Sequence, residues 1–257
     1  MRAALLALVW MATPALAASP PDLSLYRLYA DGRYDEAMRA GASAHNAYGY
    51  AIAARAALAD ALLRDAPCLK CLERGEDFAR KAVAADPGLA DGQVWLAAAL
   101  GYEGRIQGMV RARLSDSPGQ SKTALDAALK SDPENPYAVA ALGGWNIEIV
   151  RGGGAILARA LYGASEAQGI SLFDHAAHVA PDNVAVHYQI ALSLAGFDAD
   201  KYRGRIEAEL TAAIHDAPAT AYEKAMQARA AELLALLRRG DGDRLDAMVH
   251  KYQGYPG

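Results

Sequence analysis

The amino-acid sequence predicts an all-α protein, a solenoid of antiparallel helical hairpins stacked side by side. Three observations carry this prediction. Stops recur at Pro87, Pro133, Pro181 and Pro218, each after a stretch in which small or apolar residues return every three to four positions. Proline stops a helix because it lacks an amide donor and restrains the residue before it. No stretch alternates polar and apolar residues over the length that a strand needs.

The N-terminal segment predicts export. One basic residue, Arg2, precedes an apolar stretch, and a small-x-small site ends at Ala17. These are the three parts of a cleavable signal peptide. A membrane anchor is the alternative, but the stretch is shorter than the roughly 20 residues that span a bilayer, and Pro14 interrupts it. We expect a signal peptide at 1–17, a helical domain at 18–257, a periplasmic or secreted location, and no stable membrane insertion.

The stops and turns predict the helices in order along the chain. Gly32 ends the first helix, and Asp35 and Glu36 favour the start of the second because their charges complement its N-terminal dipole. The glycines at 152–154 predict a turn rather than a phosphate cradle, since no strand precedes them and no Lys-Ser/Thr pair follows. The predicted helices lie near 22–31, 34–46, 49–64, 69–85, 90–103, 121–131, 136–150, 166–179, 184–196, 202–216 and 219–239, with a last amphipathic turn near 244–252.

The turn motif and the helix stops resemble those of the tetratricopeptide repeat (TPR) family. The segment from Gly32 to Ala37 reads Gly-Arg-Tyr-Asp-Glu-Ala, which is similar to the family's turn, and pairs such as Leu96-Ala97 and Leu142-Gly143 stand in first helices. The resemblance covers most of 22–239 and implies a concave groove that binds a protein or peptide partner. The period departs from the family's, because successive proline stops are 46, 48 and 37 residues apart.

Two of the long repeats carry extra segments that resemble each other. Arg105, Gly108 and Arg113 in the first insert correspond to Arg151, Gly154 and Arg159 in the second, each 46 residues later. This shared register predicts a short helix at equivalent places in two neighbouring hairpins. Arginine suits carboxylates and phosphates, so these four arginines are candidate binding residues for an acidic or anionic partner. The alternative is that each arginine pairs with a carboxylate of its own hairpin, such as Glu103 or Glu148.

Several tyrosines fall on the first helices of the predicted hairpins, whose faces line the groove in the TPR family. Tyr102, Tyr137 and Tyr188 are candidate binding residues, and Tyr26 and Tyr29 share their placement. Tyrosine buries a large area and keeps a polar contact, which suits recognition. The alternative is that about half of them pack between hairpins.

The two cysteines predict a local disulfide. Cys68 and Cys71 are three residues apart at the start of a predicted helix, and an exported chain meets an oxidising environment. A reduced pair and a metal or redox site remain alternatives. A thioredoxin-like site needs a strand before the helix, haem attachment needs histidine where Leu72 stands, and zinc needs further ligands.

No motif in the sequence predicts catalysis, and we expect neither an enzyme nor a cofactor. His175 and His178 lie three residues apart beside Asp174, but the glutamate of a metalloprotease helix is missing, so packing or surface histidines are the favoured interpretation. His187 is expected to face a partner helix. The net charge of −4 disfavours general nucleic-acid binding, which needs a basic surface.

Two hypotheses about function follow from the sequence. The leading one is a periplasmic TPR-like scaffold that binds a protein or peptide in its groove. The alternative is a ligand-binding accessory of an envelope transport system, with an apolar pocket lined by the inserts. The aliphatic residues of the inserts distinguish the two hypotheses; they are Met109, Val110, Ile156, Leu157 and Leu161. If they line a closed cavity, the ligand-binding accessory is favoured. If they are buried in hairpin packing beside an open groove, the scaffold is favoured.

Overall fold

The computed structural model describes residues 23–256, and the predicted signal peptide at 1–17 lies outside this range. Between residues 23 and 256 the chain forms thirteen α-helices and no strands, so the all-α prediction is confirmed. The helices are α1 Leu23–Ala30, α2 Tyr34–Ser43, α3 Ala47–Leu63, α4 Leu69–Ala85, α5 Ala90–Gln107, α6 Met109–Leu114, α7 Ser117–Ser131, α8 Pro136–Tyr162, α9 Glu166–Val179, α10 Val184–Asp198, α11 Arg203–His215, α12 Ala221–Arg239 and α13 Gly242–Tyr252.

The helices form two layers. Six of them, α1, α3, α5, α8, α10 and α12, pack against one another in this order and make up an inner layer, while α4, α7, α9 and α11 cover it from outside. The last inner helix, α12, also contacts α1 and α3. Arg229 of α12 donates a 2.9 Å hydrogen bond to the carbonyl oxygen of Leu62, and Tyr222 packs into the apolar cluster of the first three helices. The inner layer is therefore a closed inner helical ring.

After three of the four proline stops, at Pro133, Pro181 and Pro218, the next helix begins with a side-chain cap. Two residues beyond Pro133 and Pro181, an asparagine accepts a 3.0 Å hydrogen bond from the amide three residues later; these asparagines are Asn135 and Asn183. Such a bond satisfies one of the amides that a helix start leaves unpaired. The same short motif thus stops one helix and caps the next.

Small residues set the spacing of neighbouring helices. A Cβ added to Gly41 of α2 would lie 2.4 Å from the carbonyl oxygen of Gly49 in α3, and one added to Gly143 of α8 would lie 2.7 Å from the ring of Phe173 in α9. Larger side chains at these glycines would push the helices apart. In α3, Ala53, Ala54, Ala56 and Ala57 are fully buried, so this helix contacts neighbours on most of its circumference.

Both inserts form the expected short helix. In the first, Gly108 separates α5 from α6; in the second, Gly154 kinks α8, whose last residues continue as a helix to Tyr162. The two inserts share this geometry, because the backbone of Gly154 is non-helical like that of Gly108.

Candidate functional site

The inner helical ring surrounds a cavity of about 570 Å³. All six helices of the ring contribute to its wall, together with α7 and residues of both inserts. A volume of this size exceeds that of a packing defect and lies in the range of ligand clefts. The wall is mostly aliphatic and includes Leu58, Leu62, Val94, Leu100, Leu125, Ala141, Ile149 and Met226.

One cavity-lining residue, Arg55 of α3, carries a charge into this apolar wall. Its guanidinium carbon lies over four aromatic rings, at 4.4 Å from the centroid of Tyr29, 4.9 Å from Trp95, 5.2 Å from Tyr137 and 5.8 Å from Tyr26. Attraction between the cation and the ring faces stabilises this arrangement. In the described part of the chain, no carboxylate oxygen lies within 4.0 Å of the guanidinium.

Two buried donors at Arg55 lack acceptors, and the other groups that its guanidinium meets are neutral phenols. Its Nε is buried without a hydrogen-bond partner among residues 23–256, and so is the indole Nε1 of Trp95. Its Nη2 donates only a long bond of 3.4 Å to the Tyr137 hydroxyl oxygen. That oxygen also accepts from Asn183 Nδ2 at 3.4 Å, which leaves the phenolic proton of Tyr137 available to a further acceptor.

Two carboxylates, those of Asp91 and Glu223, contribute negative charge near Arg55 without pairing with it within 4.0 Å. Glu223 lines the cavity, but its Oε2 accepts hydrogen bonds from the amides of Ala219 and Thr220 at 2.6 and 3.2 Å as part of a helix cap. Burial raises the pKa of Asp91, and the charge of Arg55 opposes that effect. Burial also raises the pKa of the Tyr29 hydroxyl, and the charge of Arg55 opposes that effect.

At the insert side of the cavity, two of the predicted arginines meet one carboxylate. Arg151 Nη2 lies 2.7 Å from Glu148 Oε1, and Arg105 Nη2 lies 3.8 Å from Glu148 Oε2. Arg105 also donates to the carbonyl oxygen of Gln253 at 3.1 Å. The Tyr255 hydroxyl contacts both Arg151 and Glu148. Both arginines line the cavity. The Arg151–Glu148 pair lies within one hairpin, as the alternative considered from the sequence has it, whereas Arg105 reaches a carboxylate of the next hairpin.

The other two predicted arginines are exposed. Arg113 lines the cavity and Arg159 does not, and neither forms an ion pair with the described residues. Around them, aliphatic side chains of the inserts face outward: Val110, Leu114 and Ile156 are 78%, 83% and 85% exposed. Leu157 and Leu161 are half-exposed and line the cavity, whereas the Met109 side chain lies outside the described part of the structure.

The predicted tyrosines divide between cavity and core. Tyr102 and Tyr137 line the cavity, whereas Tyr188 is buried in the apolar core, with a hydroxyl that has no partner among residues 23–256. Sequence reasoning missed Arg55 and Trp95. A signal was present, because Arg55 is the one basic residue of a helix that is otherwise rich in alanine.

The remaining sequence candidates lie away from the cavity. Cys68 and Cys71 form a disulfide at the start of α4, with their Cα atoms 5.2 Å apart. His187 is buried, and its Nδ1 lies 2.5 Å from Glu209 of α11 while its Nε2 lies 2.8 Å from the Pro181 carbonyl oxygen. His175 and His178 are exposed on α9.

Comparison with known proteins adds no family assignment. No protein-family model matches this chain, and the search of curated proteins finds no significant match. Within residues 23–256, no helix has both the length and the apolar character required to cross a bilayer.

Proposed function

We propose that this chain is an exported, TPR-like helical protein that binds a small organic ligand of largely apolar character in its central cavity. The observation that carries this proposal is the convergence of all six inner helices on one cavity of about 570 Å³. Typical ligand sites are clefts of about 300–1,000 Å³ with apolar walls and few polar groups. The cavity of this chain fits that description.

The closed inner ring favours a small ligand over an extended or folded partner. A protein partner in the groove of an open solenoid needs an exposed concave surface. In this chain the contacts of α12 with α1 and α3 turn the inner face toward a central cavity that is open at the side of the inserts, where the half-exposed Leu157 and Leu161 line it. This geometry supports the accessory hypothesis from the sequence, in which the inserts contribute to an apolar pocket, because Leu157 and Leu161 line the cavity.

Export remains part of the proposal on the strength of the first seventeen residues. The disulfide between Cys68 and Cys71 fits an oxidising compartment. Intact-mass measurement of protein isolated from the periplasm tests this directly. We expect a mature chain that begins near Ala18, and a retained Met1 would contradict export with cleavage.

A protein partner is a second candidate, supported by the exposed outer side of the inserts. Val110, Leu114 and Ile156 expose aliphatic surface beside Arg113 and Arg159, which have no ion pairs among the described residues. Apolar surface of this kind is typical of contact sites. An envelope transport component that exchanges ligand with the cavity is the partner that this placement favours.

Cavity binding can be tested with N-phenyl-1-naphthylamine, a neutral apolar fluorophore, because Trp95 and Trp145 both line the cavity and their emission reports on it. Gly101→Phe is the blocking variant: Gly101 lines the cavity within α5, and a Cβ there meets nothing within 4 Å. Gly204→Phe is the matched control, since Gly204 is a helical glycine with equally open space away from the cavity.

We expect the wild type and Gly204→Phe to bind the fluorophore with quenching of tryptophan emission. Gly101→Phe should lose most of this binding while its melting temperature stays near that of the wild type. Equal binding by all three proteins, or none by the wild type, would overturn the proposed cavity function.

A further inference from the structure

We infer that the Arg55 end of the cavity binds the carboxylate of an amphipathic organic acid, whose apolar body lies along the aliphatic wall. This inference rests on the proposed function, since it identifies the class of ligand that the cavity takes. It depends on the surroundings of one side chain, which are unusual within this protein.

Arg55 differs from the other arginines that lie over aromatic rings. In the described part of the chain these are Arg105, Arg151 and Arg229. Each of the three donates to an oxygen: Arg105 to the Gln253 carbonyl at 3.1 Å, Arg151 to Glu148 at 2.7 Å and Arg229 to the Leu62 carbonyl at 2.9 Å. Arg55 reaches only phenol oxygens, through a 3.4 Å bond from Nη2 to Tyr137 and an interaction with the Tyr29 hydroxyl, and its Nε has no partner among residues 23–256.

An arginine in an apolar wall without a close counter-charge is costly. Desolvating a guanidinium is unfavourable unless its charge and its donors are matched. Aromatic faces recover part of this cost but accept no strong hydrogen bond. A ligand anion would supply what the protein does not, because a carboxylate brings a full charge and up to four acceptor sites.

The neighbouring donors fit the same anion. The indole N–H of Trp95 has no acceptor among residues 23–256, and the phenolic proton of Tyr137 is not needed for the bonds that its oxygen accepts. With Arg55 these groups give three kinds of donor at one end of the cavity. Donors from α3, α5 and α8 would position a single acceptor group.

The charge balance favours a carboxylate over a phosphate. Arg55 is the cation of this end, while Asp91 and Glu223 contribute negative charge at longer range. One guanidinium matches a monoanion and pairs with a planar carboxylate through two parallel bonds. A dianionic phosphate would meet too little positive charge. The aliphatic wall then requires that the rest of the ligand be apolar.

The inference is tested by displacement of N-phenyl-1-naphthylamine with three probes that each carry an unbranched ten-carbon chain. Decanoate carries the carboxylate, decanamide is its neutral counterpart, and decyltrimethylammonium carries the opposite charge. On the wild type we expect decanoate to compete at least about tenfold more strongly than decanamide, and the ammonium compound to compete least.

Variants then locate the anion. Arg55→Met should reduce the affinity for decanoate by about tenfold or more and leave the affinity for decanamide unchanged, so the preference for decanoate over decanamide should disappear. Arg55→Lys retains a positive charge and should keep part of this preference. Arg238→Met is the control for loss of one positive charge, because Arg238 is an exposed residue paired with Glu207 on the outer side at 2.8 Å. It should bind all three probes like the wild type.

The outcomes separate the inference from the proposed function. If the fluorophore binds but the wild type takes decanoate and decanamide equally, the inference is wrong and the cavity function stands. The inference is also wrong if Arg55→Met binds decanoate like the wild type. If neither the fluorophore nor any probe binds, both fail. Should Arg55→Met not fold, the comparison of the three probes on the wild type still decides.

Discussion

Gly108 and Gly154 interrupt their helices with the same backbone conformation, at φ 82° and ψ 160° for the first and φ 73° and ψ 159° for the second. They stand 46 residues apart in two repeats. Only glycine adopts this region without strain, since a Cβ at such a φ collides with the neighbouring carbonyl group. The correspondence indicates that the insert belongs to the repeated unit, with the glycine as the point where each helix changes direction.

We expect Gly154→Ala to lower the free energy of unfolding by about 1–3 kcal/mol, the usual cost of a strained non-glycine backbone. A Cβ at Gly154 meets nothing within 4 Å, so the effect would be conformational rather than steric. Gly101→Ala is the control: its Cβ also meets nothing, but Gly101 is helical, and alanine there should stabilise by about 0.5–1 kcal/mol. Urea unfolding measures both, and equal stability of the two variants would contradict the strain argument.

We expect replacement of Cys68 and Cys71 by serine to keep the fold. The disulfide closes a very short loop, so it constrains the unfolded chain little and should contribute at most about 2 kcal/mol. Circular dichroism and thermal melting of the double variant provide the measurement. Alkylation of the native protein without reductant should find no free thiol, and labelling of both cysteines would refute the predicted bond.

The stability of the fold should depend on the ionisation of Glu103. This residue is only 6% exposed, and burial together with the nearby Glu76 raises its pKa to about 8. The carboxyl of an unfolded chain titrates near pH 4.3. Between these values the unfolded state releases the proton and the folded state keeps it, so stability falls as the pH rises from about 4.3 to about 8.

Glu103→Gln should therefore be more stable than the wild type at pH 8.5, with a melting temperature higher by at least about 3 °C, and should lose this advantage at pH 4. Glu134→Gln, at an exposed position, is the control and should follow the wild type at both values. Thermal melting at the two pH values measures the difference. A Glu103→Gln advantage that is the same at both would mean that ionisation is not its cause.

Changing Arg113 and Arg159 together to alanine tests whether the inserts form a recognition face. Neither arginine is paired with a described residue, so we expect the melting temperature to stay within about 1 °C, as for other surface substitutions. Capture of partners from envelope extract should decrease. Arg27→Ala with Arg39→Ala removes two exposed charges elsewhere and is the control. A lower melting temperature with unchanged capture would make the inserts structural.

The helices of this fold could be predicted from the sequence because their ends depend on local chemistry. Pro133 and Pro181 stop helices and Asn135 and Asn183 cap the next ones, all within a few residues of chain. The inserts were predicted for a related reason, since a register of 46 residues is visible without coordinates.

The closed ring and the Arg55 site could not be predicted in the same way. Ring closure brings Leu62 and Arg229 together although 167 residues separate them in sequence. It depends on the sum of the small rotations between successive hairpins, which no local sequence pattern determines. The aromatic rings around Arg55 come from α1, α5 and α8, and only tertiary packing brings them together. Tyr188 shows the same limit from the other side. Like Tyr137 it lies on the inner helix of its hairpin and is expected from the sequence to line the groove, but it is buried in the core.

Contact between the first and last hairpins also limits how such a protein can change over evolution. An open array of helical hairpins gains or loses a repeat at either end while the remaining repeats keep their neighbours. A chain whose α12 rests on α1 and α3 has no free end at which a hairpin could be added without separating the two. Its number of inner helices sets the circumference, and hence the width, of the space they enclose. Duplication or deletion of one hairpin would therefore change the width of the cavity itself.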